Sequence, residues 1–229
     1  MLVVCISNPT MDYKLRHARV QSAGLAADST LALLCDYRTF SVAKPGDKGW
    51  KRLRAPRVSD EMLLALPFAG RLYCVTRETI SVVETSADQK ARLVVVADVK
   101  WEGKFSWCSD YIYPVYDDDG GLILVRRHIT YNSCFDDKFQ AYRVKLDTGD
   151  VEPACDLGGR ALFVCDERSQ SVLAGISSSI RADTIYVCRH DYDKDRPDFV
   201  AFDLSGTFTI PTFDKRGIAY DLSSYVCTS

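Results

Sequence analysis

Residues 111–127 read YIYPVYDDDGGLILVRR. Two runs of aromatic and β-branched residues, Tyr111–Tyr116 and Leu122–Arg127, flank three acids and two glycines. Acids suit a solvated tip, and glycine takes positive φ without strain, so the segment reads as a β-hairpin. A calcium loop is the competing reading of Asp117–Gly121. An EF-hand needs spaced acids and a Glu at its twelfth position, where this chain has His128.

The same grammar extends in both directions. Thr30–Asp36 and Thr39–Lys44 flank Tyr37-Arg38, and Arg71–Thr76 and Thr79–Glu84 flank Arg77-Glu78, with Arg92–Val96 next. Downstream come Phe139–Leu146, Asp150–Ala154, Ala161–Cys165, Ser171–Ile176 and Thr184–Arg189; Phe199–Leu204 then turns at Ser205-Gly206 into Thr207–Ile210. A dozen or more short strands at a spacing of about 10 residues make an all-β sandwich, barrel or propeller. Gly70, Gly121 and Gly159 each open a strand pair, at intervals of roughly 40 to 50 residues, the length of one four-stranded propeller blade. Trp50 and Trp101 repeat at a similar distance. The fold expected is all-β and propeller-like, with about four to five four-stranded blades, the ring complete or incomplete. Helix should stay under about 10% and strand exceed about 40%. Ser59–Leu66 is the one window with a helical face, about two turns ended by Pro67, and it reads equally as a strand. Trp50, Phe68, Leu72, Tyr73, Leu124, Tyr142, Leu162, Phe163, Ile185 and Tyr186 are the expected core.

With 229 residues, 47% hydrophobic and 26% charged, the chain is neither disordered nor a coiled coil. A net charge of −2 gives no global pull toward nucleic acid. Leu2–Ile6 is too short an apolar run for a signal peptide or a membrane helix, so no membrane partner is expected. Nine cysteines without a C-x-x-C pair read as small buried hydrophobes of a reduced compartment, cytoplasm or nucleus.

Chemistry-bearing motifs are sparse. His17, His128 and His190 form no H-x-H or H-x-x-x-H pair, so no metal is expected. The mixed-charge run His190–Asp198 reads as an exposed connection. Gly158-Gly159-Arg160 leads into a strand, so it lacks the helix N-terminus that would hold phosphate. No catalytic or cofactor-binding residue is assigned, and the binding residues are left open. The densest basic stretch, Lys48, Lys51, Arg52, Arg54 and Arg57 around Trp50, reads as a strand edge that is solvated or faces a partner, with nucleic acid the less favoured reading.

Several elements occur together, in order. They are Pro45-Gly46-Asp47-Lys48-Gly49-Trp50, Phe68–Val75, Gly121–Arg127, Tyr142–Asp147 leading into Asp156–Val164 and Ser169–Val172, and Asp183–Tyr186. On these the chain resembles the plant domain of unknown function 295, the KIB-type propeller domain of plant F-box proteins. The resemblance implies a non-enzymatic protein-interaction module, the target-binding half of an F-box ubiquitin-ligase subunit. Met1 opens directly in a strand-like run, which reads as a family member shortened at its N-terminus and without the F-box. Such a chain recruits no ligase core directly, binds an unknown protein target and self-associates through an open edge. A single domain over 1–229 is expected, with 1–27 an edge strand and mobile connection and 28–229 the main body. A hydrolase or lyase site at the propeller mouth is the alternative, and its signature would be three or more acids or histidines converging there.

Overall fold

The computed structural model describes residues 20–35, 39–57, 61–85, 90–103, 105–106, 109–116, 120–129, 137–165, 169–189, 198–204 and 208–209. The expectations placed on Leu2–Ile6, His17, His190, Asp117–Asp119 and Ser205-Gly206 lie outside them. Well over half of the described residues are in strands, and the helical element among them is a single 3-10 turn, Ala174–Ile176. The chain divides into two compact units, Met1–Lys104 with Leu146–Asp150, and Phe105–Lys145 with Val151–Ser229.

The first unit contains two antiparallel sheets whose strands follow chain order. One comprises β1 (Val20–Leu25), β2 (Leu31–Cys35), β3 (Thr39–Ala43) and β4 (Lys51–Leu53). The other comprises β5 (Met62–Phe68), β6 (Arg71–Thr76), β7 (Thr79–Glu84) and β8 (Arg92–Asp98). A four-stranded meander of this kind is the unit of a propeller blade. Leu34, Phe40, Val42, Leu53, Leu72 and Cys74 pack together as the core of this unit. Short connections set the registers. Thr76 and Thr79 pair hydroxyls at 3.0 Å across the Arg77-Glu78 turn, and Thr79 N donates to Thr76 Oγ1 at 2.9 Å.

The second unit repeats the meander in β9 (Asp110–Tyr116), β10 (Leu122–His128), β11 (Lys138–Lys145) and β12 (Asp150–Pro153). Its other sheet has five strands: β13 (Arg160–Val164), β14 (Ser169–Leu173), β15 (Thr184–Arg189), β16 (Asp198–Asp203) and β17 (Phe208–Thr209). Their order is β14-β13-β15-β16-β17, and β13 pairs with β15 in parallel. Alternation along β13 supplies two cores. Leu162 and Val164 join Tyr113, Val125 and Phe139 on one face, while Ala161, Phe163 and Cys165 join Tyr186 and Ala201 on the other.

The architecture is therefore all-β and propeller-like, with four blade-like sheets among the described residues. Eight of the ten expected core residues are buried; Trp50 and Phe68 are half-buried. Cys35, Cys74 and Cys165 are buried, and Cys155 is exposed.

Two readings need correction and two others become definite. Residues 20–25 are not a connection but strand β1, held by Ser22, whose Oγ donates to Ala65 O and accepts from Ala65 N, each at 3.1 Å. Of the two readings open for Ser59–Leu66 the strand holds, as Met62–Phe68, with Ser59 itself outside the described residues. The run Ser171–Ile176 is not one strand, because β14 ends at Leu173 and the 3-10 turn begins the crossover to the parallel strand β15. Lys51–Leu53, read as a strand edge, is the edge strand β4, paired with β3 on one side.

Candidate functional site

The β1–β2 and β5–β6 turns and the end of β7 enclose an open groove of about 440 Å³ within the first unit. The β1–β2 turn closes by Ala26 N to Thr30 O at 2.9 Å, and Ser29 sits at φ 63°. The β5–β6 turn places both Ala69 (φ 46°) and Gly70 (φ 74°) in the left-handed region, the signature of a tight I′ hairpin. Ala27 N donates to Gly70 O at 2.9 Å and ties the two tips together. A Cβ on Gly70 would stand 3.2 Å from the Ala27 Cβ, so glycine also permits the approach.

Ala26, Leu72 and Val83 give the groove an apolar surface, and Asp28, Arg71 and Glu84 bring charge to it. Asp28 meets Lys44 Nζ at 2.6 Å. The Lys44 hydrogen bond and those from Thr30 hold its carboxyl down at about 2. Glu84 Oε2 accepts from Arg92 Nε and Nη2 at 3.0 and 2.8 Å.

A second polar cluster lies in the second unit, at the end where β9 begins, β10 ends and β11 begins. Arg126 Nε donates to Asp110 Oδ1 at 2.7 Å, and both side chains are buried. The same Oδ1 lies 3.1 Å from His128 Nδ1, and Ser106 N donates to Oδ2. The Arg126 guanidinium lies over the Phe105 ring, 5.2 Å from its centroid. Burial alone would push the Asp110 carboxyl up, but Arg126, the Ser106 N–H and His128 hold it below the usual carboxylate range. On the opposite face of the sheet Arg127 pairs with the buried Asp137 at 2.7 Å.

An imidazole oriented by a carboxylate can serve as a general base. Here that carboxylate is already satisfied by a guanidinium, and the second nearby acid, Asp137, is likewise engaged. Among the described residues no group of three or more His, Cys, Asp or Glu side chains is placed to hold a metal ion. The sequence reading of His128 as a solvated strand end missed its contact with Asp110. The signal was available: in a hairpin whose tip is Asp117–Gly121, residues 110 and 128 stand opposite each other.

The basic stretch around Trp50 is largely counter-charged. Lys51 meets Asp47 at 2.9 Å, and Arg57 meets Glu78 and Asp98 at 3.1 and 2.9 Å. Arg52 donates to Thr39 Oγ1, and Arg54 stays exposed. Gly158 and Gly159 take positive φ and lead into β13, as the sequence reading has it.

The model of the KIB1-4 β-propeller family matches residues 8–214. The chain belongs to this family. No curated protein matches this KIB1-4 propeller chain. Among solved structures it is similar to a luciferin-regenerating enzyme, with TM-score 0.41 and 14% identity over 88% of this chain, which spans 63% of the length of that protein. A catalytically inactive virginiamycin B lyase from Staphylococcus aureus with quinupristin matches at TM-score 0.38 and 8% identity, over 88% of this chain and 72% of that one. An endo-arabinase from Bacteroides thetaiotaomicron matches at TM-score 0.30 and 14% identity, over 85% and 74%. None of the three bears on the activity of this chain.

Proposed function

We propose that this KIB1-4 propeller is a non-enzymatic protein-interaction module, of the kind that serves as the target-binding part of plant F-box ubiquitin-ligase subunits, acting in the cytoplasm or nucleus. The observation that carries the reading is the groove between the tied β1–β2 and β5–β6 tips. It is open and mixed in polarity, and the Ala27–Gly70 bond ties its two turns together. Engagement of Asp110 by Arg126 and of Asp137 by Arg127 supports the same reading, because both carboxylates then serve the fold.

The test is capture of the tagged chain from plant cells, followed by reconstitution of any captured complex from purified components. A discrete complex that reforms in vitro is the expected result. Hydrolase or lyase turnover by the purified chain that disappears in His128→Gln would replace this reading with the enzymatic one. Recovery of the ligase adaptor as a direct contact would show that the chain reaches the ligase core as well as a target.

A further inference from the structure

The charges of the groove do not cancel. Asp28 and Glu84 each hold a cation of their own, Lys44 and Arg92. The side chain of Arg71, exposed at the start of β6, makes no hydrogen bond or ion pair with any other described residue. We propose that the groove receives an extended acidic segment of a partner protein, with one Asp or Glu carboxylate seated on the Arg71 guanidinium. The proposal rests on the interaction-module reading and names the chemistry of the partner.

Three physical points select this occupant. A guanidinium presents parallel N–H donors that match a carboxylate in bidentate fashion. Asp28 and Glu84 still line the groove beside their cations, and the repulsion they keep falls about twice as hard on a doubly charged phosphate as on a singly charged carboxylate. Small-molecule sites bury most of their ligand, whereas this groove is open across hairpin tips and suits a chain laid over it. The Ala27–Gly70 bond fixes the backbone from which Arg71 projects, which leaves the arginine side chain to be ordered on binding. Leu72 and Val83 lower the local polarity and strengthen a charge-assisted contact.

The probe is an array of end-blocked degenerate decapeptides, each well fixing one residue at one position, incubated with the full chain. Wells fixing Asp or Glu should retain more protein than wells fixing Asn or Gln. For the best acidic peptide, Arg71→Ala should weaken binding about tenfold or more, the loss expected for one charge-assisted hydrogen-bonded contact. Arg71→Glu should shift the preference to Lys and Arg, and Arg54→Glu, at an exposed arginine that does not line the groove, should change nothing. Equal melting temperatures establish that the variants fold. Acidic wells no better than their amides, phosphoserine wells better than both, an Arg71→Glu protein with unchanged preference, or no retention on any well would each overturn the proposal. Reconstitution of a partner complex is independent of all four outcomes, so the broader reading can survive the loss of this one.

Discussion

Asp110 on β9 and Arg126 on the neighbouring strand β10 meet at 2.7 Å with 0% and 4% of their side chains exposed, a diagonal pair two residues off direct cross-strand register. Removing one partner of such a pair strands a charge in the interior. Arg126→Met should therefore destabilise the chain by about 3–5 kcal/mol. Replacing both residues, as Asp110→Leu with Arg126→Met, should cost much less, since the desolvation of two ions is removed with their attraction. Chemical denaturation of the two variants decides this: equal losses would mean that the pair is not coupled.

The same carboxylate sets an acid limit. Its folded pKa lies below its unfolded value, so its contribution is fully present above about pH 4 and is lost as pH falls through the folded value. Asp28, held at about 2 by Lys44 and Thr30, contributes over the same window, but its side chain is 52% exposed. Melting temperature against pH over about pH 2–5 should flatten in Asp110→Asn at any salt concentration, whereas the smaller effect of Asp28→Asn should fade as salt is added. A salt-sensitive Asp110 effect would show that the cluster is solvated.

Gly24 lets β1 come close to its neighbour. A Cβ there would lie 2.9 Å from Leu72 Cδ2 and 3.1 Å from Pro67 Cδ. Gly24→Val should cost about 1–3 kcal/mol through overpacking. Ser22→Ala should cost about 1–3 kcal/mol by leaving the Ala65 N–H and C=O without their partner. A Gly24→Val protein as stable as the parent would mean that β1 is only loosely attached.

That packing explains what the sequence hides. Strands such as Arg71–Thr76 and Thr184–Arg189 are legible because β-branched and aromatic residues fill both faces of a pleated surface. Val20–Leu25 is built from Gln21, Ser22, Ala23 and Gly24, small or polar residues that suit close backbone approach rather than a strand pattern. Met62–Phe68 carries Leu63, Leu64 and Leu66, good helix formers, and pairing with β6 overrides that local preference. The groove was illegible for another reason. Its residues come from three separate connections, two of which are joined by the Ala27–Gly70 contact, between residues 43 apart in sequence.

The β5–β6 turn carries strain that can be relieved. Ala69 adopts φ 46°, where an L-residue with a Cβ pays about 1 kcal/mol and Asn fits better. Ala69→Asn should raise the melting temperature by about 1–3 °C, and Gly70→Ala should lower it. A fall with Ala69→Asn would mean that the alanine methyl is needed for packing.

Tyr186 links the parallel pair to its crossover. Its ring stacks on Phe163 with centroids 4.8 Å apart, which ties β15 to β13 inside the second core of this unit. Its hydroxyl accepts from Arg181 N at 2.9 Å and donates to Ser179 O at 3.4 Å, so it replaces backbone partners that the non-strand crossover lacks. A parallel connection needs such anchoring, because its two strands are joined by a long segment rather than a tight turn. Tyr186→Phe keeps the stack and removes only the hydroxyl. It should cost about 1–2 kcal/mol. The loss should be local: the Arg181 amide should exchange faster with solvent, while Ala161–Val164, in the buried centre of the sheet, should keep their protection. Uniformly faster exchange over both segments would show that the hydroxyl supports the whole unit and not the crossover alone.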